Sequence, residues 1–182
     1  MVTEHQRRIE QFFQNEIRNY VLGDLDSMKE LNKRERGWCA VPLGQLLFSV
    51  IDLFGFLIRP EQNALKKHTL HNIRALVCDV DLFPDSNYQP WADRLVTQFR
   101  HGLIHQFFPK ASCIARLGES ADLIMPGTGL VTLNVDRLEA DLRRALSTLS
   151  NRALGVDGAA LSERMSRRLD ALAQDDWKEF PA

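Results

Sequence analysis

"CAVPLGQLLFSVIDLFGFLI", residues 39–58, is mostly apolar and admits two folds. Such a run is long enough to span a bilayer as a helix, and it also suits the central helix of a bundle. It contains Pro42, Gly44, Gln45 and, near its middle, Asp52. A carboxylate at mid-bilayer costs about 2.5 to 3.5 kcal/mol, so the expected reading is a core helix with no membrane partner. Arg59-Pro60 ends it, because proline drives the preceding residue out of the helical region. A carboxylate in so apolar a helix needs a partner. Asp52 is expected to face the helix carrying Arg100 and to orient that guanidinium, directly or through water.

Upstream, Ile9, Phe12, Phe13, Ile17 and Tyr20 recur at helical spacing, predicting a helix over 4–20. Gly23 and the acidic "GDLD" are expected to break it, with "KELNKRERG" (29–37) as a charged connector. Downstream, residues 61–80 predict a helix with Leu65, Ile73, Leu76 and Val77 towards the core, closed by the turn chemistry of "LFPDSNYQP". A further helix is expected from about Pro90, a good first-turn residue, to Phe107 or Phe108, where Pro109 stops it. Residues 111–135 carry short apolar runs around "GES" and "PGTG", which reads as a two-stranded hairpin (about 113–134) or an irregular lid. "NVDRLEADLRRALSTL" returns to helix, with Asn134 or Asp136 as cap and Leu138, Leu142, Ala145, Leu146 and Leu149 as one stripe. "GVDG" breaks it, and an amphipathic helix over 158–173 leads into a tail (174–182) expected to fray. The expected fold is an all-α helical bundle of five to six helices, a single domain over 1–182, with one short β-hairpin.

Bulk composition narrows the function classes. With 45% apolar residues, 26% charged residues and a net charge of -1, the chain is neither disordered nor a strongly basic nucleic-acid coat. A local basic pocket is still compatible with brief contact to nucleic acid. Three cysteines, Cys39, Cys78 and Cys113, lie far apart, as expected of free thiols in a reducing compartment. The N-terminal stretch is polar and helix-patterned, so no signal peptide is expected and cytoplasm is the default location.

The chemistry concentrates in "QFRHGLIHQFFPK", residues 98–110. At about 100° per residue from Arg100, the side chains of Leu95, Val96, Phe99, Leu103 and Phe107 share one arc. His101 and His105 fall on the other side, at about 100° and 140°, and Arg100 lies at the apolar boundary, where its stem can pack. Histidine titrates near neutral pH and can act as base or acid. The guanidinium fork suits phosphate oxygens. These types fit phosphoryl transfer with a ribose 2′-hydroxyl as nucleophile, which needs no metal if arginine supplies the charge. The chain has no P-loop, no GxGxxG and no clustered acidic set of a two-metal nuclease, so neither a cofactor nor a metal is expected.

Arg100-His101-Gly102-Leu103-Ile104-His105 resembles the R-x4-H motif of HEPN-domain proteins, whose second position is commonly Asn, Asp or His. In that family the motif lies on a late helix of a helical bundle. The resemblance implies a metal-independent endoribonuclease acting as a homodimer, with two motif helices forming one composite cleft. It assigns the scissile phosphate to Arg100, general base or acid work to His105, and substrate positioning or support of His105 to His101. It also implies RNA as substrate, a toxin, stress or defence setting, and a cognate antitoxin or regulatory protein as partner. One branch of the family carries a tyrosine two residues after the histidine; Phe107 stands there, so modification of that tyrosine is not expected.

Two other readings stay open. A non-catalytic HEPN-like module would bind RNA, a nucleotide or a protein. A metal-binding bundle would join His101/His105 to His68/His71, although the chain has neither the HExxH glutamate nor an ExxH pair. His68 and His71 also belong to a basic face with Lys66, Lys67 and Arg74, which, with Lys110, is a candidate RNA contact and otherwise a solvated strip.

Overall fold

The computed structural model of the chain describes residues 2–31, 39–60, 69–85, 88–106, 109, 112–126 and 130–178. The fold is mostly helical with one small sheet. Leu65, Lys66, Lys67, His68, Phe107, Phe108 and Lys110 lie outside the described residues, and so does most of the connector expected at 29–37.

Helix α1 spans 4–31 without interruption, passing through π-helical turns over Phe13–Leu22 and continuing as Gly23–Leu31. Thr3 and Gln6 start it with a reciprocal capping box. The break expected at Gly23 does not occur. Gly23 keeps right-handed helical angles, φ -62 and ψ -43. Glycine disfavours a helix interior by about 1 kcal/mol. Downstream anchors offset that cost: Leu25 is fully buried and Arg143 pairs with Asp26 at 2.8 Å.

Helix α2, Ala40–Ile58, is the central element and packs against the helices that follow it. It is the one described helix long and apolar enough to cross a membrane, and most of it is buried inside the protein. Its C-terminal carbonyls receive arginines from the last helix: Arg164 Nη1 donates to Ile58 O at 2.8 Å and Arg168 Nη1 donates to Phe56 O. Cations at this end complement the helix dipole and satisfy orphan carbonyls.

Helix α3, Thr69–Val77, lies along α2 and buries Ile73, Leu76 and Val77. Helix α4, 89–106, opens with a 3-10 turn at Gln89–Trp91, widens to π-helical turns over Leu95–Arg100 and ends as His101–Gln106. Strands β1 (Ser112–Ala115), β2 (Ile124–Pro126) and β3 (Val131–Asn134) follow. In place of the two-stranded hairpin expected over about 113–134 there is a three-stranded sheet: β2 and β3 pair antiparallel, and β1 lies parallel to β3, giving the order β1-β3-β2. Asn134 holds this arrangement. Its amide donates to Gly118 O at 2.8 Å and its oxygen caps the next helix by accepting from the Asp136 and Arg137 amides. A pattern reading in sequence order pairs neighbours; the return of β1 to the far side of β3 depends on these non-local bonds.

Helix α5, Val135–Leu154, carries the predicted leucine stripe on its buried face. Helix α6 runs over Ala159–Lys178, beyond the limit expected for it, so most of the tail expected to fray is helix. It packs against α1, α2 and α5.

Candidate functional site at Arg100

The π-helical turns preceding the motif bury Leu95, Val96 and Phe99, and the wider winding ends where the His101 amide donates to Val96 O. Such turns recur at functional sites. Leu103, one turn on, is fully buried. Two residues of α2 hold this end of α4. Gly44 leaves the space that Leu103 fills, because a Cβ there would lie 3.1 Å from Leu103 Cδ1. Gln45 Nε2 donates to Leu103 O at 2.7 Å, satisfying a carbonyl near the end of the helix.

Two turns further along α2 lies Asp52. Its Oδ2 accepts from Arg100 Nη2 at 3.2 Å and from Thr69 Oγ1 at 3.1 Å, and its Oδ1 accepts from Asn72 Nδ2 at 2.7 Å. The structure therefore brings Asp52 and Arg100 into direct contact. Their side chains are 19% and 21% exposed, so water reaches the pair. Thr69 and Asn72 share one face of α3 at i, i+3 spacing. Gly55 lets that face reach Asp52: a Cβ on Gly55 would lie 1.8 Å from Asn72 O, an impossible overlap. Sequence reasoning missed Thr69, Asn72 and Gln45. The available signal was Asp52-x-x-Gly55, an acid one turn before a glycine in an otherwise apolar helix.

Arg100, Asp52, Thr69, Asn72, Ser49, Leu53, Phe56 and Leu172 line an open groove of about 310 Å³. His101 and His105 are not among its walls. His101 is half-buried and His105 exposed, with ring centroids 5.9 Å apart in an edge-on arrangement. Ile104, beside His105, is 39% exposed. Among the described residues Arg100 has a single ion pair, made through Nη2, and a guanidinium carries five N–H donors.

Of the candidate RNA-contacting cations, Arg74 is described. It is exposed and clamps Asp93 through Nε at 2.8 Å and Nη2 at 2.7 Å, which offsets its charge. Among the described residues no group of three or more His, Cys, Asp or Glu side chains is placed to hold a metal ion. Comparison with models of protein families, with curated proteins and with solved structures finds no match to this chain.

Proposed function

We propose that the chain is a HEPN-like domain acting as a homodimeric, metal-independent endoribonuclease, in a toxin, stress or defence setting and with a protein inhibitor or regulator as partner. The observation that carries this reading is Arg100, half-buried against Asp52, on the same helix as two histidines whose rings lie 5.9 Å apart towards solvent. In the proposed reaction His105 removes the ribose 2′-hydroxyl proton and the 2′-oxygen bonds to phosphorus. The bond to the 5′-oxygen breaks, and that oxygen takes a proton from a histidinium. The products are a 2′,3′-cyclic phosphate and a 5′-hydroxyl. Arg100 stabilises the charge on the phosphorane oxygens, and His101 positions substrate or supports His105. A second copy of the helix completes the cleft, and exposed Ile104 offers an apolar contact for it.

The test is incubation of the purified protein with RNA in excess EDTA. Cutting with cyclic-phosphate ends, abolished by Arg100→Ala and by His105→Ala, is the expected result. Cutting that needs a divalent cation, or that survives both substitutions, overturns the assignment. The Asp52 contact also favours a second reading, because it offsets part of the Arg100 charge. A non-catalytic HEPN-like module would bind RNA, a nucleotide or a protein and leave RNA intact in the same assay.

A further inference from the structure

The groove beside Arg100 has a hydrogen-bonding character of its own. Its volume, about 310 Å³, lies at the small end of the roughly 300 to 1,000 Å³ of ligand pockets. Leu53, Phe56 and Leu172 provide apolar surface, and Ser49, Asp52, Thr69 and Asn72 provide polar atoms. The donors among these are turned towards the protein. The Ser49 hydroxyl donates to Gln45 O at 2.9 Å, and both the Thr69 hydroxyl and the Asn72 amide donate to Asp52. What they leave are acceptors: the hydroxyl lone pairs and the carboxylate. Asn72 is 5% exposed, and its buried Oδ1 has no hydrogen-bond partner among the described residues. Arg100 is the one cation among the described lining residues.

A complementary ligand carries N–H donors on a flat apolar body and an anion at one end. We propose that this groove is a subsite for an amino-bearing nucleobase, with the attached phosphate paired to Arg100. The inference rests on the endoribonuclease reading and deepens it: the base beside the cut phosphate sits in the groove, and its exocyclic amino group faces the acceptors. A base with a carbonyl at that position sets lone pair against lone pair and is rejected. Sites built to pair a polar group discriminate strongly against analogues lacking it.

The test is calorimetric titration of the full chain with AMP against IMP, and with CMP against UMP, pairs that exchange an amino group for a carbonyl. AMP binding about tenfold or more tighter than IMP is expected, with CMP favoured over UMP in the same sense. Leu172→Trp fills the groove and removes AMP binding, with folding verified by circular dichroism. Thr69→Val is the milder variant and narrows the AMP/IMP ratio. Equal affinity for AMP and IMP, no saturable binding, or AMP binding undisturbed in both variants overturns the subsite. So does tighter binding of a free amino acid, which offers a carboxylate to Arg100 and ammonium N–H donors to the acceptors. Cutting of RNA in EDTA is read separately. AMP selectivity without cutting keeps the subsite and sinks the nuclease; cutting with no base preference and no AMP binding does the reverse.

Discussion

Two arginine–aspartate pairs on this chain are alike in chemistry and opposite in setting. Arg116 and Asp136 are 2% and 9% exposed and meet at 2.7 Å. Arg116 Nη1 also donates to Met28 O, and the second Asp136 oxygen accepts from the Gly118 amide at 3.0 Å. The pair joins the loop after β1 to the first turn of α5 and leaves no solvent gap for a ligand. Arg100 and Asp52 meet at 3.2 Å, about a fifth exposed, on the edge of an open groove. What separates a staple from a candidate site is therefore the donor capacity left unspent and the access to it.

The largest expected effect tests the closed pair. Arg116→Ala strands Asp136 as a buried carboxylate, and losing one partner of such a pair costs about 3 to 5 kcal/mol. Urea unfolding measures it as a lower midpoint. A loss below about 1 kcal/mol would place both pairs in one class and erase the contrast.

A third acid is as buried as the closed pair, but the arginines that pair with it are more open. Asp141 accepts from the Tyr88 hydroxyl at 2.7 Å and from Arg137 Nε at 2.8 Å, and Arg144 also pairs with it. Burial first, and then the Asp141 charge, push the Tyr88 hydroxyl well above its ordinary value of about 10. The folded chain keeps this proton when the unfolded chain loses it, so stability falls as pH rises past about 10. Tyr88→Phe is expected to cost about 1.5 to 3 kcal/mol at neutral pH, the range for a hydrogen bond to a charged group. It should also flatten the alkaline decline. An unchanged alkaline decline in thermal melts of the Phe variant would assign it to other groups.

Gly55→Ala acts on the open pair through its support. The added methyl overlaps Asn72 O, so α3 must move off α2 at an expected cost of about 1 to 3 kcal/mol. The same shift draws Thr69 and Asn72 away from Asp52, and AMP selectivity should fall along with stability. Full stability with intact selectivity would show that the close approach is dispensable.

Legibility followed the range of the interactions. The ends of α2 and the buried face of Leu95, Val96, Phe99 and Leu103 were readable because proline geometry and helical period are local. Asp52 stood out as the one acid in an apolar run, and its contact with Arg100 follows from the need to pair it. Gly23 misled because propensity at one residue is weaker than the burial of Leu25 two residues on. β1, Thr69 and Asn72 were not readable, since β1 pairs across an intervening hairpin and the α3 side chains meet Asp52 from another helix.

The smallest expected stability effect decides most about function. Arg100 gives Asp52 one contact at 3.2 Å, and Thr69 and Asn72 still hold that carboxylate when the guanidinium is gone. Exposed and part-exposed pairs contribute about 0.2 to 1 kcal/mol, so Arg100→Ala should barely move the unfolding midpoint while RNA cutting disappears. A double-mutant cycle with Asp52→Asn isolates the pair itself. Coupling below about 1 kcal/mol, weakening as salt is added, matches an arginine held loosely for a ligand. Coupling near the 3 to 5 kcal/mol expected at Arg116 would make Arg100 a second staple. A guanidinium spent on holding α4 to α2 has no charge to lend a phosphate, and the catalytic reading would then lose the residue on which it turns.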